Sequence, residues 1–318
     1  MACLVAASPS HKPKLRVENF INPGLSLDMV SSLVIGSEAA MIIDLPFAVP
    51  QAIALADWVA NTTDKPLVAA FTTHFHPDHY LSGAAFLDRF PETKFYANSR
   101  AVALIENEVE QKGILRPDAV VDKAAIPSPY DFTFFTLPGD ESTPIHLISP
   151  LAADTIDETL FWIPSISTLI AGDAVYSHTV HLWLADLLSS ALSEAWLSTL
   201  DFVESLAPKR IIPGHSLTLK GFGPNIDLKH SRDYIKFFKD EIESKGEDFY
   251  TPEEIFDLIN KKFPGLLASK TSTTSLSLLN ITAEHFGRGG VRQVHYVDLA
   301  AFNSTAELEG WNLGLKDE

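Results

Sequence analysis

Residues 72–79 read Thr-Thr-His-Phe-His-Pro-Asp-His, which packs His74, His76, Asp78 and His79 into six consecutive positions. They follow Pro66-Leu-Val-Ala-Ala-Phe71, an apolar run with the length and composition of a buried strand. Alternate side chains of an extended segment share a face, so His74 and His76 can converge on one ion. Once the chain turns after Pro77, Asp78 and His79 are free to face a second ion, about 3.5–4 Å from the first in two-metal hydrolytic sites. The spacing suits a dinuclear centre better than a single structural ion. Structural zinc favours thiolates, and the chain has 1 cysteine, Cys3. Imidazole with carboxylate is instead the donor set of catalytic ions that keep an open position.

His74-Phe-His76-Pro-Asp78-His79 resembles the signature of the metallo-β-lactamase superfamily, and further segments fall in that family's order. Ser32-Leu-Val-Ile-Gly and Ala40-Met-Ile-Ile-Asp44 are similar to its opening hairpin. Leu169-Ile-Ala-Gly-Asp173 resembles the strand ending in the aspartate shared by both metals, and Arg210-Ile-Ile-Pro-Gly-His215 the turn carrying the last histidine. The resemblance implies a second site of Asp78, His79, Asp173 and His215, and a first site of His74, His76 and Asp173. Two divalent ions are therefore expected as cofactors, zinc foremost, with iron or manganese as alternatives.

The pattern breaks at one place. Where the family usually supplies a histidine in a Gly-His-Thr turn, this chain reads Ser149-Pro-Leu-Ala-Ala-Asp-Thr-Ile-Asp-Glu-Thr159. The ligand position falls on Ala152 or on Asp154, depending on the gap. Ala152 would leave site one a ligand short. Asp154, the favoured assignment, would make it harder and more anionic, tilting preference toward iron or manganese. Asp154 and Asp157 also have the ordinary reading of turn residues, and His146 that of a wall residue on the preceding strand.

The remaining pattern predicts an α/β fold, an αββα sandwich of two mixed sheets between helical layers. Helices are expected at 50–60, 82–90, 99–112 and 193–205, and strands at 15–45, 94–97 and through much of 115–170. The family-like domain spans 15–222. Beyond it, 223–318 reads as a helical extension serving as a lid or a dimerisation surface, with helices at 228–245 and 272–286 flanking one opened by a capping box at Thr251-Pro-Glu-Glu254.

With 24 Lys plus Arg against 41 Asp plus Glu, the net charge of −17 repels phosphate backbones and anionic membranes. The expected partner is a small molecule, with neither nucleic acid nor membrane, and a homodimer is in keeping with the extension. No apolar run approaches the roughly 18–20 residues of a membrane-spanning helix, and Met1–Ala7 is too short for a signal-peptide core. A single cysteine fits a reducing compartment, so the expected location is cytoplasmic.

Three functions are open on this reading. Asp173-Ala-Val-Tyr176 is similar to the Asp-x-x-Tyr of the family's lactonases, where the hydroxyl reaches the developing oxyanion or leaving oxygen. It favours a hydrolase opening a lactone or lactam of a small metabolite or xenobiotic, with Asp78 orienting the attacking water and Tyr176 stabilising charge. The resemblance extends to fungal detoxifying lactamases. A thioesterase of glyoxalase II or polyketide-carrier type is the alternative. The third is a mono-iron redox or non-catalytic descendant. His178, His181 and Trp183, on the loop after Tyr176, are candidate pocket walls.

Overall fold

The computed structural model describes residues 15–114, 124–187, 189–246 and 248–293; Cys3, Met1–Ala7, part of the expected strand-rich region and the end of the extension lie outside them. The first sheet has six strands: β1 (Arg16–Asn22), β2 (Met29–Ile35), β3 (Ala40–Ile43), β4 (Leu67–Phe71), β5 (Lys94–Ala97) and β6 (Ser128–Pro129), side by side in that order. The first two pairings are antiparallel and the rest parallel. The second sheet comprises β7 (Phe134–Phe135), β8 (Ile145–Leu151), β9 (Glu158–Ile163), β10 (Thr168–Ile170) and β11 (Arg210–Ile212). It is antiparallel except for the β10–β11 pair. Both sheets are thus mixed, as expected.

Period-two alternation sets the layers. Met41 and Ile43 of β3, with Phe71 of β4, face Ile145, Phe161, Ile163, Ile170 and Ile212 of the other sheet and form the core between the sheets. Their neighbours Ala40, Ile42 and Ala70 point the opposite way, onto α1 (Val49–Thr62), α2 (Gly83–Leu87) and α3 (Ser99–Ile114). On the second sheet Leu160, Leu169 and Ile211 turn outward onto α4 (Ser190–Ser205), α5 (Pro224–Glu241), α6 (Pro252–Lys262) and α7 (Thr274–Phe286). The order helix, sheet, sheet, helix is the αββα sandwich.

Pro50 lies in the first turn of α1, where its missing N–H costs least. The capping box is present at α6: Thr251 accepts from the Glu254 amide, and the Glu254 side chain accepts from the Thr251 amide. Within the strand-rich region Pro127-Ser-Pro contributes the short β6, because Ala97 accepts from the Tyr130 amide and draws the segment onto the sheet edge.

The helices of the extension share the outer core with α4 and with the loop 174–187: Tyr234, Ile235, Phe238, Ile259 and Leu279 join Val180, Leu182 and Trp196. Polar ties add to this packing. Ser231 Oγ accepts from the Tyr176 amide, Ser275 Oγ from the His181 amide, and Ser272 donates to Asp28. Among the described residues no helix is long and apolar enough to cross a membrane.

Candidate metal centre

The loop 72–79 is pinned at both ends. Asp44, at φ 65° just after β3, accepts from the Thr73 amide (2.8 Å) and faces its hydroxyl at 3.1 Å. The Leu45 amide donates to the His79 carbonyl (2.8 Å), and the Thr159 amide to the Thr73 carbonyl (2.8 Å), so both sheets fix the loop. Asp173 follows β10, and His215 follows β11. Because β10 and β11 run parallel, both residues emerge at one edge, beside the end of β4.

Two groups of candidate ligand atoms result. His74, His76, Asp154 and Asp173 offer one atom each within 4.8 Å of one another, and Asp78, His79 and His215 do the same. Asp173 also reaches the second group, with Oδ1 3.4 Å from His79 Nε2 and Oδ2 3.2 Å from His215 Nε2. His79 Nε2 and His215 Nε2 face each other at 3.4 Å. His74 Nε2, Asp154 Oδ1 and Asp173 Oδ1 are buried without a hydrogen-bond partner. Buried donors and acceptors are rarely left so. Convergent imidazole nitrogens and carboxylate oxygens with unspent lone pairs fit divalent cations in both chemistry and charge.

Each imidazole is held from behind. His74 Nδ1 lies 2.9 Å from Thr73 Oγ1 and 3.3 Å from Glu158. His79 Nδ1 lies 3.1 Å from Asp44, and His215 Nδ1 donates to the Leu27 carbonyl at 2.7 Å. His76 directs Nδ1 toward Asp154 (3.3 Å) and Nε2 toward Asp186 (2.9 Å). The Tyr176 ring stacks on His215 at 5.4 Å and 13°. Its hydroxyl donates to Asp173 Oδ2 (2.5 Å) and lies 3.2 Å from Asp154 Oδ2, fully buried.

Burial and crowding set the ionisation. Burial pushes the Asp154 carboxyl up to about 7, with the Asp173 charge adding to it, and burial also brings Asp157 to about 7. Glu158 rises well above the carboxylate range through burial and then the Asp154 and Asp173 charges. Burial acts the same way on Asp173, but His215 and His79 outweigh it and hold that carboxyl well down. His74 is held well below its ordinary value by burial, then by His79 and His76. Burial would also lower His76 and His79, but Asp154 raises the first and Asp173 and Asp44 the second. A divalent cation adds positive charge at this point and favours ionised carboxylates and neutral imidazoles.

The structure brings the sequence-predicted ligand candidates to one place, with Asp154 beside His74, His76 and Asp173. The Ala152 carbonyl instead accepts from Thr199 on α4. Asp157 accepts from Thr155 within the turn, and His146 on β8 joins neither ligand group. His181 is a correction: it lies in the interior against Tyr234 of α5 (2.9 Å), because the loop folds under the extension. His178 pairs with the buried Asp227 at 2.7 Å. Trp183 does border the centre, 5.5 Å from the His76 ring. Glu158 and Asp186 carried no sequence signal of a role here; each reaches a histidine from a distant stretch of chain.

A sequence profile described as the metallo-β-lactamase superfamily matches residues 25–215. The chain belongs to the metallo-β-lactamase superfamily, and its class is that of a metallo-hydrolase. It is 24% identical over 180 residues to a "Probable metallo-hydrolase" of Streptococcus pyogenes, covering 55% of this chain and 72% of that protein. It is 25% identical over 273 residues to a linear primary-alkylsulfatase of a Pseudomonas species, covering 74% of this chain but only 50% of that longer protein. Among solved structures, a metallo-β-lactamase from Pontibacter korlensis aligns with TM-score 0.49 and 17% identity over 72% of this chain and 97% of that one.

Proposed function

We propose that the protein opens a lactone or lactam ring in a small, uncharged molecule, with His74, His76, Asp154 and Asp173 as ligands of one ion and Asp78, His79, Asp173 and His215 of a second. The observation that carries the reading is the convergence of the two groups on Asp173, with otherwise unpartnered lone pairs turned inward. Ions held there supply a Lewis acid for the carbonyl oxygen and lower the pKa of the attacking water. Zinc is the proposed metal, and Asp154 in place of an imidazole extends the choice toward iron and manganese.

The centre opens on one side. His76, Asp78 and Asp186 keep side-chain exposures of 9%, 12% and 12%, whereas His74, His79, Asp154, Asp173 and His215 stay at 2% or below. Asp78, 3.3 Å from His215 Nε2, stands at that opening, where it can accept a proton from the water that adds to the carbonyl carbon. Its proton can then pass to the ring oxygen or nitrogen as the carbon–heteroatom bond breaks. Tyr176 steadies Asp173 through the 2.5 Å hydrogen bond and so acts on the centre from behind. The net charge of −17 and the half-buried Trp183 ring beside His76 support a neutral, partly apolar ring.

The test is a panel of neutral lactones and lactams, acyl thioesters and a linear alkyl sulfate, read by proton or thiol release with metal-loaded protein. Ring opening that disappears in His215→Ala is expected. Thiol release without ring opening would replace the reading by the thioesterase, and wild-type turnover in His215→Ala would remove the dinuclear hydrolase altogether.

A further inference from the structure

We propose that Asp186, held by Trp183, is the positioning residue that fixes His76 for metal binding through Nδ1, making site one dependent on the loop 174–187. The inference rests on the metal-centre reading above. Asp186 and His76 are separated by 110 residues, yet Asp186 Oδ2 meets His76 Nε2 at 2.9 Å. The same oxygen accepts from Trp183 Nε1 at 2.5 Å. Indole N–H is a donor only, and an ionised carboxylate is an acceptor only. With the Asp186 carboxylate as acceptor, His76 presents a protonated Nε2, so in the neutral imidazole that binds a metal the lone pair lies on Nδ1. That nitrogen points into the first ligand group, 3.3 Å from Asp154. One carboxylate oxygen thus sets tautomer and ring angle together, and the Trp183 ring, 5.5 Å from the imidazole at 69°, limits its swing.

The other three imidazoles are braced differently. Thr73 and Glu158 lie behind His74, Asp44 behind His79 and the Leu27 carbonyl behind His215. Of the four, His76 alone meets a carboxylate of the loop after Asp173, the same loop whose Tyr176 ring stacks on His215, and that loop is fastened by the extension. Asp227 accepts from the His178 amide, His230 lies 3.0 Å from the Val180 carbonyl, and Ser275 accepts from the His181 amide. The helices beyond residue 222 thereby reach the metal centre through Asp186.

The experiment titrates the metal-free full chain with Zn2+ against a chromophoric chelator, for wild type, Asp186→Ala, Asp186→Asn and Trp183→Phe. Losing such an outer contact typically weakens metal binding about 10–100-fold. Asp186→Ala is expected to weaken one of two equivalents by that factor and leave the other unchanged. Asp186→Asn, whose carbonyl oxygen can still accept both N–H groups, should weaken the same equivalent less. Trp183→Phe should do likewise, and keeps the inference testable if the alanine variant does not fold. In 15N spectra the zinc-loaded wild type should show His76 protonated at Nε2 and metal-shifted at Nδ1. Wild-type affinities for both equivalents in Asp186→Ala, or in Trp183→Phe should the former not fold, overturn the inference while leaving the metal centre standing. A wild type that takes up no zinc overturns the metal centre itself.

Discussion

Gly214, between β11 and His215, is where a single methyl group should strike the candidate metal centre directly. A Cβ there would lie 1.8 Å from Asp173 Oδ1 and 2.8 Å from the Gly172 carbonyl carbon. The backbone has no room to retreat, because the Gly214 amide donates to Val175 and its carbonyl accepts from Val30. The Asp173 carboxylate must therefore turn away, breaking its hydrogen bond from Tyr176. Overpacking costs about 1–3 kcal/mol, and a hydrogen bond to a charged group is worth about 1.5–3, so Gly214→Ala should lose on the order of 3–5 kcal/mol. Gly223→Ala is the control, since its backbone is extended and a Cβ there meets nothing within 4 Å. Urea unfolding of metal-free protein isolates the clash, and elemental analysis after loading then reports the loss of ions that share Asp173. If Gly214→Ala unfolds within about 0.5 kcal/mol of wild type, the spread expected of innocuous surface changes, and keeps its metal, the packing argument is wrong.

Tyr176→Phe keeps the stacked ring and removes the hydroxyl, so kcat should fall about tenfold to a hundredfold with KM little changed, by loss of one charge-assisted hydrogen bond; an unchanged kcat with lowered thermal stability makes the residue structural. His181 tests burial away from the metals. Burial, then His230, lowers its pKa from 6.5 to about 4. The native state therefore holds it neutral, and the stability it contributes above pH 6.5 should be lost as pH falls toward 4. The unfolding free energy of wild type relative to His181→Asn should drop by roughly 3 kcal/mol across that window in denaturant titrations, and a flat difference contradicts the assignment.

How much of this was legible in the sequence depended on distance along the chain. The candidate ligands at 74–79 were readable because one short segment holds four of them, and Asp173 and His215 because each ends an apolar strand run of recognisable form. The turn at 149–159 was ambiguous because a gap can slide by two residues in a loop, and spacing alone cannot weigh Ala152 against Asp154. The structure adds what spacing lacks: Asp154 is fully buried with Oδ1 unpartnered beside His74 and His76, and the Ala152 carbonyl accepts from Thr199 of α4. Glu158 and Asp186 were illegible, since nothing local marks a carboxylate that will meet a histidine dozens of residues away. The helices beyond 222 were foreseen from their apolar period and from the Thr251 capping box. Periodicity identifies a buried face but not what covers it, so neither their packing against the loop 174–187 nor the burial of His181 followed from the pattern.

The ligand role of Asp154 in a two-metal centre is tested most directly by counting metal. Elemental analysis after metal-supplemented expression should find two ions per chain in wild type, one in Asp154→Ala, and two in Asp154→His with preference shifted toward zinc, because imidazole is the softer donor. Ala152→His should leave the count unchanged, because Asp154 already completes the first ligand group and the Ala152 carbonyl is held by Thr199 of α4. Two ions in Asp154→Ala, with Ala152→His binding more tightly than wild type, would return the ligand position to Ala152. Fewer than one ion per chain in wild type would contradict the dinuclear centre as a whole.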